Sequence, residues 1–268
     1  MRKIKVATLL CIGGIQMVLG QSNFNLGFEE YRNDHLEKAI SLFTKSIDAK
    51  EKVIDSYLYR GMSYLYQENA VDSKKDFDKA FEIDSSYAKV YVFYGRYYSA
   101  TSQYRKALES YNVAIKKTPK DYILYSERAG AESMLDLFNE ALKDADIGVK
   151  HLPNEYNAYL NRGYVRMRMD KYTEAIADFN KSLSIKKSQK GYGNRGTAYA
   201  LLKKYDLALK DFNKALEYNP NDPLILYYQG EVFLSIGEKK KACSNFLRSK
   251  QLGNTMIDDV IQKAKCNE

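Results

Sequence analysis

Two stretches of the chain, YLNRGYVRMRMDKYTEAIADFNKSLSI (159–185) and YGNRGTAYALLKKYDLALKDFNKALEYNP (192–220), carry one pattern twice. An offset of 33 residues lays Tyr192 on Tyr159, Arg195 on Arg162, Gly196 on Gly163, Ala208 on Ala175, and Asp211-Phe212 on Asp178-Phe179. Working outward, the glycine position recurs as Gly27, Gly61, Gly95, Ala129, Gly163, Gly196 and Gly230, at steps of 34 residues and once 33. A second small-residue series follows at Ala39, Ser73, Ala107, Ala141, Ala175, Ala208 and Ala242. Four residues on stand the aromatics Phe43, Phe77, Tyr111, Phe179, Phe212 and Phe246, interrupted by Ala145. Three further on are Ser46, Ala80, Ala114, Gly148, Ser182, Ala215 and Ser249, and Pro119, Pro153 and Pro220 share one phase at the repeat boundary.

These spacings predict two helices per repeat. The last three series follow an i, i+4, i+7 pattern, one face of a helix. Small residues at two facing places let the helix backbones come close, and the aromatic fills the adjoining gap. Proline ends the second helix. A pair this short cannot bury its apolar faces alone, so neighbouring pairs must stack into a continuous core.

The pattern resembles the tetratricopeptide repeat (TPR) family, in which these series occupy repeat positions 8, 20, 24, 27 and 32. The resemblance implies an all-α, right-handed α-solenoid of about seven helix-turn-helix units plus a C-terminal capping helix. The units are set at about 20–53, 54–87, 88–121, 122–155, 156–188, 189–222 and 223–253, with the cap at 254–268. Repeat 4, with Ala129, Ala145 and Gly148, is expected to pack more thinly. Repeat 5 is one residue short, which tightens the turn around Lys187.

Arg60, Arg128, Arg162 and Arg195 stand at repeat position 7, and Asp76, Asp144, Asp178 and Asp211 at position 23 of the same repeats. An up-and-down helix pair brings those positions face to face. The expectation is four structural salt bridges, each within its own repeat and not between repeats. An arginine ladder for an anionic polymer loses, because each Arg has its own carboxylate.

The first twenty residues are read as a secretory signal. Arg2, Lys3 and Lys5 precede an uncharged run, VATLLCIGGIQMVLG (6–20), too short as a helix to span a bilayer core of about 30 Å. Val18 and Gly20 place cleavage before Gln21, and the protein is expected to be exported, periplasmic or extracellular. An uncleaved anchor is the alternative. A lipoprotein reading of Cys11 is weaker, because Leu10 stands where a small residue is needed. Losing the three bases lowers the formal charge from +8 to +5, and no Lys/Arg run exceeds Lys239 to Lys241. No nucleic-acid partner is expected, since such binders concentrate charge in stripes, and no transmembrane span remains after cleavage.

Cys243 lies ten residues before Gly253 and Cys266 thirteen after it. Gly253 reads as the cap of one helix, and MIDDVIQKAKC (256–266) as a terminal helix with Met256, Val260, Ile261 and Ala264 on one face. Antiparallel packing would bring the cysteines together as a disulfide clasp; two separate thiols are the alternative.

No catalytic residue, metal site or cofactor is expected. His35 and His151 fall in different repeats, and HExxH, GxSxG, P-loop and GxGxxG motifs are absent. Binding remains. The resemblance implies a concave wall formed by the first helix of each repeat. Carried over by position, it presents Phe24, Phe28, Tyr31, Arg32, Leu58, Met62, Tyr66, Lys89, Arg96, Tyr164, Arg168 and Tyr227. Such a wall suits a peptide or partner protein with apolar anchors and some acidic residues. The implied function is a non-catalytic protein-interaction scaffold of the cell envelope. The alternative is a binder of carbohydrate or another non-protein ligand through groove aromatics and bases. The asparagines of the family's chaperone-tail clamp are missing at position 9, which reads Phe28, Met62, Arg96, Gly130, Tyr164, Thr197 and Glu231.

Overall fold

Residues 22–266 are described by a computed structural model. The expected signal and its cleavage point before Gln21 lie outside the described residues. Every regular element among them is helical, and they gather into two compact units, residues 22–84 and 85–266. The first unit holds α1 (Asn23–Arg32), α2 (Leu36–Asp48), α3 (Val53–Tyr66) and α4 (Ala70–Ile83). The second holds α5 (Ala88–Ala100), α6 (Tyr104–Lys117), α7 (Tyr122–Met134), α8 (Phe138–His151), α9 (Tyr156–Arg168) and α10 (Tyr172–Ile185). It continues with α11 (Gln189–Leu201), α12 (Tyr205–Tyr218), α13 (Pro223–Ser235), α14 (Lys239–Gln251) and a short α15 (Asp258–Lys263). Odd helices up to α13 pair with the even helix that follows, and each even helix meets the next odd one within its unit. Within each unit this is the pair-on-pair stacking of an α-solenoid.

The aromatic series explains the crossings. Phe43, Phe77, Tyr111, Phe179, Phe212 and Phe246 are fully buried, and each ring lies on the glycine sixteen residues before it. A methyl at Gly95 would stand 2.5 Å from Tyr111 Cε1, and at Gly230 equally close to Phe246 Cε1. Only a bare backbone fits there. Repeat 4 solves the crossing differently. Ala129 and Ala145 are both fully buried, and the contact moves to Gly148, where a methyl would sit 1.9 Å from Ser126 Oγ.

One turn recurs between the two helices of every pair. Asp34, Glu68, Ser102, Asp136, Asp170, Lys203 and Gly237 all have positive φ, from 57° to 82°. The N–H of the following residue donates to the carbonyl five residues before it, as from Leu137 to Glu132 at 3.0 Å and from Lys204 to Tyr199 at 2.8 Å. That left-handed residue and its 6→1 bond make a Schellman stop, which satisfies carbonyls orphaned at the helix end. The one-residue deletion in repeat 5 is absorbed in the loop 186–188 between α10 and α11. There Ser188 caps α11 by accepting from the N–H of Gly191 at 3.2 Å.

At the C-terminal end of the second unit, Ile257, Ile261 and Ala264 bury against Ala242 and Phe246. Gly253, at φ +96°, turns the chain after α14, and Cys243 and Cys266 are joined, with Cα atoms 5.1 Å apart. The buried residue that leads this cap is Ile257, which sits in a 3-10 turn (Thr255–Ile257) before α15. A continuous helix from Met256 does not form.

Candidate interaction surface

The four arginines at repeat position 7 each hold their aspartate with two bonds. Arg60 donates through Nε and Nη2 to Asp76 at 2.8 and 2.7 Å. Arg128 grips Asp144 at 2.6 and 3.0 Å, Arg162 grips Asp178 at 3.0 and 2.7 Å, and Arg195 grips Asp211 at 2.6 and 2.7 Å. The four aspartates are buried, so each carboxylate depends on its arginine for charge compensation.

All four pairs lie within their own repeats, as expected; each arginine adds a hydrogen bond into the preceding repeat, which at Arg162 is a second ion pair, to Asp146 at 3.0 Å. Nη1 donates to Thr44 Oγ1 from Arg60, to Asn112 Oδ1 from Arg128, to Asp146 Oδ1 from Arg162 and to Asn180 Oδ1 from Arg195. The last pair of helices uses neutral groups for the same relay. Gln229 donates to Asn213 at 2.7 Å and accepts from Asn245 at 2.8 Å. A planar guanidinium supplies the fork for the buried carboxylate and a spare N–H for the neighbour. The tyrosine three residues earlier lies beside each guanidinium: Tyr57, Tyr125, Tyr159 and Tyr192, at 5.3 to 5.9 Å. Tyr125 and Tyr159 donate their hydroxyls to the carbonyls of Pro119 and Pro153. These residues hold the stack together.

The expected wall residues divide into three groups. Phe24, Leu58 and Met62 are buried, because position 5 of a first helix, and position 9 in repeat 2, face the neighbouring helices and not an open groove. Val92, Leu160 and Gly193 follow the same rule. A second group is half-exposed but engaged. Arg96 makes a two-pronged pair with Glu127 of α7, with its closest approach 2.7 Å. Arg168 donates to Asp136 at 2.9 Å and to the Met134 sulfur, which also accepts from the Tyr164 hydroxyl at 3.1 Å. Tyr227 packs on Phe246, and Lys89 lies 5.9 Å from the Tyr87 ring. Arg96 and Arg168 therefore do not offer an open positive charge to an acidic ligand.

The third group is brought together in the first unit. Phe28, Tyr31 and Tyr66 follow one another with ring centroids 6.4 and 5.9 Å apart and planes within 21°. Phe24 continues the series at 6.3 Å, and Tyr59 packs edge-on against Phe24, Phe28 and Tyr31. Tyr66 is 57% exposed, and Arg32, at the end of α1, is exposed and makes no ion pair among the described residues.

Exposed apolar residues at repeat positions 2, 12 and 13, which the positional reading also placed on this wall, lie on first helices of the second unit: Ile123, Leu201, Leu224 and Leu234.

Among the described residues no group of His, Cys, Asp and Glu is placed to hold a metal, and no helix is long and apolar enough to cross a membrane. His35 Nδ1 lies 2.6 Å from Glu30 Oε2, and His151 stacks on Tyr122. Glu132 is a buried carboxyl. Burial, and then the charge of Asp144, push it up to about 7, while its Oε2 has no hydrogen-bond partner among the described residues.

Family models described as tetratricopeptide repeat match residues 156–189 and 190–222. Over 102 residues the chain is 31% identical to the human protein "Tetratricopeptide repeat protein 6"; the match spans 37% of this chain and 20% of that relative. Among solved structures, a tetratricopeptide repeat protein from Parabacteroides merdae aligns over 91% of this chain and 98% of its own, with a TM-score of 0.66 and 17% identity. The APC/C hetero-tetramer Cut9-Hcn1 aligns over 89% of this chain and 48% of its own, with a TM-score of 0.77 and 17% identity. At these identities the structural likeness concerns the fold.

Proposed function

We propose that this chain, a tetratricopeptide-repeat protein, is a non-catalytic scaffold of the cell envelope that holds partner proteins on the faces of its first helices. Proteins of this fold generally act as protein-interaction scaffolds. The observation that carries the reading is the sorting of first-helix positions. Position 5 is buried between helices in repeats 1 to 6 and half-buried, as Tyr227, in repeat 7, while Tyr66, Ile123, Leu201, Leu224 and Leu234 stay exposed on first helices, although the fold does not need them outside. Exposed apolar residues also stand on second helices, as at Val71, Ile83 and Tyr218, but on first helices they recur at repeat positions 2, 12 and 13, and such a repeated apolar surface marks an interaction site.

An exported location is supported by the basic start and apolar run of residues 1–20 and by the joined Cys243 and Cys266, since disulfides persist in oxidising compartments. The test is crosslinking in the native envelope with the wild type beside a Leu201→Asp/Leu224→Asp double variant. A protein recovered with the first and lost with the second supports the reading. A partner retained by both moves the surface elsewhere, and no protein partner at all refutes the scaffold.

A further inference from the structure

We propose that the aromatic strip Phe28–Tyr31–Tyr66 of the first unit, bounded by Lys52 and Arg32, docks an extended partner segment with apolar side chains at alternate positions and an acidic residue at each end. This rests on the scaffold reading and names the partner's chemistry at one surface of it. The strip is built by two parallel neighbours, α1 and α3, and its rings follow one another at 6.4 and 5.9 Å. In an extended chain, side chains two residues apart point the same way and stand about 6.6 Å apart. Each ring therefore meets one alternate side chain of an extended occupant. A helical occupant spaces its anchors at about 5.4 Å per turn along its axis and presents them in i, i+3, i+4 order, a shorter step than either ring separation.

Charge sets the two ends. Lys52 Nζ lies 4.5 Å over the ring of Phe24, where the strip runs into the interior. Arg32 closes α1 at the Tyr66 end and makes no ion pair among the described residues. Asp55, an acid on the first turn of α3, is already engaged. The arginines on the second unit's first helices differ, because Arg96 and Arg168 are neutralised by Glu127 and Asp136. Acidic complementarity is thus a property of this strip. A sugar ring is the poorer occupant, since the near-parallel rings face one another and leave fewer faces for stacking.

The probe is a fluorescein-labelled nonapeptide with Leu, Phe and Leu at alternate central positions, Ser and Gly between them and Asp at both ends. Its binding to the purified chain is read by fluorescence anisotropy. Expected is saturable binding, weaker by about tenfold or more for a control of equal composition with the three apolar residues consecutive. Tyr66→Ala and Arg32→Glu each weaken it by about tenfold or more, and Arg32→Glu regains affinity for the peptide whose adjacent end carries Lys. Both substituted residues are exposed, and unchanged thermal melting shows that the variants fold. Equal binding of the two peptides, retention by the double variant, no binding at all, or capture instead of a β-linked oligoglucose lost on Tyr66→Ala each overturns the proposal. If the strip fails while the Leu201/Leu224 variant still loses a crosslinked partner, the scaffold stands without it; if both fail, neither reading survives.

Discussion

The buried aspartates set the cost of single changes. Asp211 is 4% exposed and among the described residues its one ionic partner is Arg195, so Arg195→Met strands a carboxylate in the interior, at about 3–5 kcal/mol. Asp178 is as deeply buried but has a second partner, since Arg166 Nη1 bonds its Oδ2 at 2.7 Å. Arg162→Met should therefore cost less than Arg195→Met by at least about 1 kcal/mol, as read by urea denaturation. Equal losses would show that the buried carboxylate is not what sets the cost. Glu132 works in the opposite sense. Its folded pKa, about 7, lies above the 4.5 of the unfolded chain, so the folded state binds the proton more tightly. Stability is then highest below about pH 4.5 on this account and falls as pH rises through 7. The charged groups facing it are Arg128, whose Nε is 3.7 Å away, Asp144 and Glu140. Glu132→Gln removes the titration and should raise stability at pH 8 by about 1–3 kcal/mol while leaving it nearly unchanged at pH 5. A pH-independent effect would assign the gain to packing.

At the scale of the element, the seven left-handed turn residues matter most. An L-residue with a Cβ pays about 1–2 kcal/mol in that conformation, Asp and Asn less, and Gly almost nothing. Gly237 already fits, whereas Lys203 at φ 57° does not. Lys203→Gly is expected to raise Tm, worth about 0.5–1 kcal/mol, and Asp136→Gly to raise it less; a lower Tm for Lys203→Gly would deny the strain. This turn was not legible in the sequence, because Asp, Glu, Ser, Lys and Gly share a backbone angle and no side-chain chemistry. The helix pairs were legible, since close backbone contact admits only small residues and repeats them at a fixed pitch. The arginine–aspartate fork was legible for the same reason, its sixteen-residue spacing being set by the geometry of a pair. The second reach of each arginine was hidden, because Thr44, Asn112, Asp146 and Asn180 accept alike and look unlike. The candidate surface was legible only in part. Position 5 depends on how closely neighbouring pairs nest, and Arg96 and Arg168 are opposed from the neighbouring repeat, by Glu127 on α7 and by Asp136 in the turn after it.

At the scale of the whole molecule, stacked repeats make stability local. Within each compact unit a helix pair contacts chiefly its neighbours, so the unit behaves as a row of coupled pairs and fails first where a pair lacks a neighbour on one side. The described C-terminal end is protected by a short segment, Thr255 to Cys266. Ile257, Ile261 and Ala264 bury there, and Lys250 pairs with Asp258 at 2.7 Å across an exposed edge. The Cys243–Cys266 bond spans 23 residues and removes loop-closure entropy of about 3 kcal/mol from the open state, which weights the cap toward its closed form. A Cys243→Ser/Cys266→Ser variant should therefore lose amide protection in α14 and α15 first, by about a hundredfold in hydrogen exchange, with α13 following and α5 to α8 unchanged. Equal loss through the second unit would mean that its pairs unfold as one block. No loss anywhere would mean that the apolar contacts of Ile257 and Ile261 close the end without the disulfide.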